Sequence, residues 1–212
     1  MRRQTRIAFL TTASAFSCGA AAADHWSVEA YGGNAYNFRN RLTLSQAGSA
    51  SQSVDAKYET RGLRAPPYYL LRGARWTDNA AWEISQIHHK LYLANPPPGV
   101  GDVSISHGFN IVTVNRAYRA GDWTYRFGAG PVITHAEATI NGTRYDGPYK
   151  LSGGALLAGA GWRYYVTGGT FVSVEGLFTL ARATPKLPGP PDAELRATNT
   201  AVHAAFGIGH EF

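Results

Sequence analysis

The chain reads as an all-β protein: an eight-stranded antiparallel transmembrane β-barrel of the outer-membrane type, following a cleavable signal peptide. Three observations predict it. The last segment alternates apolar and polar residues down to a terminal aromatic, short and long connections alternate along the chain, and the five tryptophans collect toward one end of the hairpins.

The amino terminus comes first. Arg2, Arg3 and Arg6 precede a weakly apolar run over 7–16, and Ala21-Ala22-Ala23 precede Asp24. That charged, apolar, small-residue order predicts a secretory signal peptide over 1–23 and a single barrel domain over 24–212. The run is too short and too polar for an anchored helix. Cys18, the single cysteine, lies inside it, so the mature chain has no disulfide and no thiolate metal site. Removing 1–23 takes three arginines and no acid from a net charge of +6, leaving +3. No Lys/Arg stripe accompanies that charge, so nucleic acid is excluded as a partner. Gly 24, Tyr 12 and Trp 5 against 16% charged residues favour β structure.

Period-2 alternation bounded by turn residues gives strands near 25–37, 67–77, 80–94, 108–120, 122–138, 151–167, 170–183 and 195–212. Three connections are tight: Thr77-Asp78-Asn79, Ala120-Gly121-Asp122 and Thr167-Gly168-Gly169. The other four, 38–66, 95–107, 139–150 and 184–194, are long and hold or border every proline but one. Short periplasmic turns and long extracellular loops are the arrangement of an even-stranded barrel with both termini in the periplasm. Pro131 is the exception, and a bulge or loosened pairing is expected there, because proline leaves a ladder bond unmade. Trp26, Trp76, Trp82, Trp123 and Trp162 would form an aromatic girdle at the periplasmic interface.

The last strand places Val202, Ala204, Phe206, Ile208, His210 and Phe212 on one face. Gly207, an aromatic position held by His210, and the terminal Phe212 resemble the carboxy-terminal signal read by the barrel-assembly machinery. That machinery is the expected partner during insertion, and the bacterial outer membrane the expected location.

Lipid-facing positions should be apolar over a band about 25 Å tall. Trp26, Val28, Ala30, Trp123, Tyr125, Phe127, Val172, Val174, Phe178 and Leu180 fit that face. Glu29, Glu83, Arg126, Arg163 and Glu175 then point into the periplasmic half of the lumen, where buried charges must pair. A structural ion network plugging the barrel is the reading of these five. The 67–77 strand does not resolve: either phase turns Arg72 or Arg75 to lipid or forces Trp76 inward.

The 80–94 strand is irregular. Its lower half turns Glu83 and Ser85 inward, whereas its upper half would turn His88, Lys90 and Tyr92 inward. A β-bulge near 86–87 would reconcile the two. His88 then stands roughly 23 Å above the tight turn, near the outer rim. His203 reaches a similar height, also facing in.

His88-x-Lys90-x-Tyr92, Gly108-x-Asn110-Ile111-x-Thr113-x-Asn115, Tyr118-Arg119 and Pro66-Pro67-Tyr68-Tyr69 resemble the lipid A oxidase family of outer-membrane barrels. The resemblance covers about 66–119. It implies oxygen-dependent oxidation of the proximal glucosamine of lipid A to an aminogluconate, with lipopolysaccharide as partner. Its candidate catalytic residues are His88, Lys90, Tyr92 and His203. His88 or His203 would be the base, Lys90 would hold a lipid A phosphate, and Tyr92 would orient the sugar. No side chain accepts two electrons easily, so the cofactor expected of an oxidase is a redox metal.

Two other functions compete. A non-catalytic barrel, structural or adhesin-like, fits the long 38–66 loop and the Pro-rich last loop. A soluble lipocalin-like carrier would need an apolar lumen and a polar exterior, which the tryptophan belt and Phe212 oppose. A monomer is expected in either membrane case.

Overall fold

The computed structural model describes residues 24–212, the side chains of Ser106 and His107 excepted; the expected signal peptide lies outside the described residues. Fourteen strands form among them: β1 (His25–Asn37), β2 (Asn40–Gln46), β3 (Gln52–Ala56), β4 (Tyr58–Glu59), β5 (Tyr69–Thr77), β6 (Ala80–Leu93), β7 (Val100–Ala120), β8 (Trp123–Thr134), β9 (Glu137–Ile140), β10 (Thr143–Asp146), β11 (Lys150–Thr167), β12 (Thr170–Ala183), β13 (Lys186–Leu187) and β14 (Ala193–Glu211).

Eight of them close a cylinder. The antiparallel order is β1-β5-β6-β7-β8-β11-β12-β14, and β14 returns to β1. Closure satisfies every edge, which hydrocarbon demands. The tight turns use residues that tolerate positive φ: Asp78 at 54°, Gly121 at 59°, Gly168 at 45° and Gly169 at 82°.

The outer wall is apolar. Trp82 is 62% exposed, Phe206 61% and Phe127 57%, with Val28, Trp123, Tyr164, Val174 and Ile208 equally bare. Such a surface is excluded for a water-soluble carrier and is what a lipid-bathed wall requires. Tyr36, Phe38 and Tyr149 add exposed aromatics near the loop end, on the pattern of a second girdle.

The lumen is filled in layers. At the periplasmic end Trp76 is fully buried, donates to Ser27 Oγ at 3.1 Å, and lies under the Arg119 and Arg163 guanidiniums. The sequence placed Trp76 in the outer girdle; the 67–77 strand instead turns Arg72 and Trp76 inward and leaves Arg75 outside, where it pairs with Asp24 at 2.6 Å. Above lies an ion network. Arg72 joins Glu29, Glu83 and Glu175, Arg126 joins Glu83 and Glu175, and Arg163 joins Glu29 at 2.6 Å. Leu70, Ile87, Ile111, Val132, Leu157 and Leu177 form an apolar layer over it. Higher still, a polar cluster around His89 and His203 gives way to an apolar cap including Leu42, Leu44, Leu91, Ile105, Leu187 and Leu195.

The long loops carry structure that the sequence reading missed. β2 and β3 form a hairpin that extends β14, and β9 and β10 form one that extends β7. Asn141 and Gly142 turn the second hairpin at φ 49° and 80°. Positive φ at both residues suits the Asn-Gly two-residue hairpin turn. At Pro131 the β7–β8 ladder skips the pairs opposite Val112 and Thr113, and the β8–β11 register shifts nearby, between Leu151 and Gly153.

Candidate functional site

β6 does not change phase. Its irregularity with β7 falls between His89 and Leu91, not near 86–87, and the extra residues belong to β7. His89 pairs with Phe109 and Leu91 with Ile105, so three β7 residues stand opposite Lys90 alone. Gly108 sits in this bulge at φ 155°, a conformation L side chains rarely adopt, and a Cβ there would collide with Asn110 Nδ2. Regular alternation therefore sends Ile87, His89 and Leu91 into the lumen. His88, Lys90 and Tyr92 lie on the outer wall, which corrects their expected inward orientation.

These residues are outward but covered. His88 keeps 5% exposure. Its ring stacks on Tyr69, the paired residue of β5, at 4.8 Å between centroids. Its Nδ1 lies 2.9 Å from Asn110 Oδ1, on the paired residue of β7. A carboxamide oxygen only accepts, so Nδ1 carries the hydrogen and a neutral ring keeps its lone pair on Nε2. Nε2 is buried and has no partner among the described residues. An unpartnered buried imidazole nitrogen on the membrane side of the wall is an acceptor left without a donor.

Lys90 has another task. It is 0% exposed, and Nζ donates to Arg64 O at 2.6 Å and Arg61 O at 3.2 Å. It therefore fastens the 61–64 loop over the wall and has little left for a phosphate. Tyr92 is half-buried, with the Arg61 guanidinium 4.4 Å above its ring.

His203 does not join them. It points into the lumen, where Nδ1 lies 3.1 Å from Tyr68 Oη and Nε2 lies 2.8 Å from Thr179 Oγ1. Its neighbour there is His89, at 4.9 Å between ring centroids, a residue that an inward His88 would have turned outward. His89 Nε2 donates to Asn37 Oδ1 at 2.9 Å, and Asn199 donates to the same oxygen at 2.8 Å. Three of the four candidate residues thus share one outer face, and the fourth lies on the other side of the sheet.

The donor set on the outer wall does not suit a redox metal. His135, the next outward imidazole, stacks on Tyr149 and pairs with Asp146 at 2.9 Å, and no group of three metal-binding His, Cys, Asp or Glu residues forms among the described residues. First-row metal sites of this kind need several converging N, O or S donors.

Neither a family profile nor a curated protein sequence matches the chain. Solved structures do. The outer membrane protein OprG from Pseudomonas aeruginosa aligns with a TM-score of 0.57 at 12% identity, covering 92% of this chain and 98% of that one. The outer membrane protein AlkL, determined in DMPC lipid bilayers, aligns with a TM-score of 0.50 at 12% identity, covering 96% and 97%. At such identities the likeness concerns the fold, and it agrees with the apolar wall and closed ladder. The chain is a small outer-membrane β-barrel, and the bacterial outer membrane is its location.

Proposed function

We propose that this barrel acts from its outer wall on the headgroup of an outer-leaflet lipid, that the lipid is lipid A, and that the reaction oxidises its proximal glucosamine. One observation carries the reading: His88 Nε2, buried and unpartnered, lies on the lipid side of the sheet. Lys90 lies ten residues into β6, roughly 25 Å above the periplasmic turn, which is the level of outer-leaflet headgroups. Polar side chains on a lipid-facing wall are costly and mark functional sites. The packed lumen leaves transport through the barrel without support. The resemblance of 66–119 to lipid A oxidases supplies the chemistry.

In that chemistry His88 Nε2 takes the C1 hydroxyl proton of the hemiacetal. The C1–H bond breaks, two electrons pass to dioxygen, and a lactone and hydrogen peroxide form; water then opens the lactone to the aminogluconate. The residues of the outer wall bind and orient the sugar and hold that proton. Folded protein in detergent, incubated with lipid A bearing a free reducing end under air, is expected to add one oxygen to the lipid by mass spectrometry. No mass change with dioxygen present, with or without added metals, ends the oxidation reading.

The non-catalytic alternative draws on the ion network, in which each buried charge is paired. A purely structural barrel needs no more than that.

A further inference from the structure

Beside the outer-wall site lies a second feature, a cleft of about 470 Å³. It opens between the 61–65 loop, the top of β6, the start of β7 and the β9–β10 hairpin. Arg61, Arg64, Tyr92, Asp102, Glu137 and Arg144 line it. Its cations differ in what they already hold. Arg61 is clamped by Glu59, with Nε at 2.9 Å and Nη2 at 2.8 Å from one carboxylate oxygen, and lies over Tyr92. Arg144 meets Glu137 at 3.2 Å. The Arg64 guanidinium pairs with no acid among the described residues, while its own carbonyl is pinned by buried Lys90. The cleft is thus a built one: a fully buried lysine fixes the loop that presents the free arginine.

We infer that this cleft binds an oxyanion-bearing sugar of the lipid headgroup. Arg64 takes the oxyanion and Arg144 assists it. Asp102 and Glu137 accept hydroxyl hydrogens, and the Tyr92 ring packs against the sugar. The mixture of charges selects a sugar over a bare anion, because a bare phosphate would face two carboxylates without hydroxyls to give them. The lipid source rests on the proposed function. Oxidation at C1 requires a free C1 hydroxyl, so the oxyanion bound here belongs to a position other than C1. It also relieves Lys90 of the phosphate-holding role expected from the sequence.

The test uses the whole folded barrel in detergent micelles and three probes. These are lipid A with one phosphate on its distal glucosamine, the same lipid fully dephosphorylated, and soluble glucosamine 6-phosphate. Arg64→Gln is expected to weaken binding of the phosphorylated lipid about tenfold or more, with the dephosphorylated lipid bound as before. Arg75→Gln, at the opposite, periplasmic end of the barrel, should change neither. Heat-modifiable migration on gels verifies folding of each variant, and Arg144→Gln, expected to weaken binding less, serves if Arg64→Gln does not fold. Equal affinity of the Arg64 variant and wild type for the phosphorylated lipid overturns the cleft. Binding of the soluble sugar phosphate as tightly as the lipid overturns the lipid as its source. Loss of binding in the variant, when wild type oxidises nothing, upholds the cleft and removes only the oxidation. Oxidation by the variant at unchanged KM does the reverse.

Discussion

Arg72 and Glu175 meet inside the barrel in a two-point contact, Nη1 to Oε2 at 2.9 Å and Nη2 to Oε1 at 2.8 Å, both side chains fully buried. The same guanidinium reaches Glu29 at 2.8 Å and Ser85 at 3.1 Å. It is the hub through which strands far apart in sequence are tied.

Replacing that hub tests the network. Arg72→Met leaves Glu29 and Glu175 buried with too few cations, and breaking a buried pair on one side costs about 3–5 kcal/mol. The expected outcome is a lower midpoint in urea unfolding from lipid vesicles. Arg72→Lys should recover little, since an ammonium cannot span both oxygens of Glu175. A midpoint unchanged by Arg72→Met would show that the network is incidental to stability.

Gly207 makes a second point. A Cβ there would collide with Ala30 O and with the Tyr31 ring. Tyr31 donates to Glu29 at 2.5 Å, so Gly207→Val displaces the phenol from the ion network. Overpacking of this kind costs about 1–3 kcal/mol. Gly207 also belongs to the terminal pattern resembling an assembly signal. Folding purified protein into detergent, with no machinery present, separates the two roles: a defect that persists there is one of packing.

The strands were legible because their code is local. Alternation, Asp78-Asn79, Gly121-Asp122 and Gly168-Gly169 each act within a few residues of where they are read. The phase of β5 was not, because inward Arg72 and Trp76 are tolerated through partners on β1, β6, β7, β11 and β12, which no window of sequence contains. Likewise His88-His89-Lys90 gives three consecutive polar residues, and polarity does not say which go inside. The bulge signal was present on the neighbouring strand, as Gly108, but a bulge opposite Lys90 shows only once β6 and β7 are paired. Asn141-Gly142 was a hairpin signal inside a segment, 139–150, that was assigned wholly to a long loop.

Asp24 sets the opposite scale from the lumen. It is exposed, accepts from Thr77 Oγ1 at 2.8 Å and pairs with Arg75 at 2.6 Å. The Thr77 hydrogen bond, then Arg75, holds its carboxyl below the usual value of 3.8. A depressed folded-state value means that its contribution is present above that usual value and is lost as pH falls through the lower one. Water and salt screen such a pair. Asp24→Asn should therefore leave the unfolding midpoint unchanged at neutral pH and flatten its pH dependence only in strong acid. A clear loss of stability at pH 7 would give this rim contact a role the geometry does not assign it.

The two histidines at similar height separate site from scaffold. His88→Ala removes the unpartnered Nε2 from the outer wall and strands one acceptor, Asn110 Oδ1, near the interface. The expected result is a barrel that still migrates as folded and yields no oxidised lipid. His203→Ala removes a ring bonded to both Tyr68 and Thr179 deep in the lumen. Leaving buried polar groups unpaired costs about 1–3 kcal/mol each, so the unfolding midpoint should fall while product per folded barrel stays near wild type. The pair is measured together, midpoint by urea titration and product by mass spectrometry. Should His203→Ala fold normally and lose the product while His88→Ala keeps it, the chemistry belongs to the lumen side of the sheet, and the outer-wall assignment goes with it.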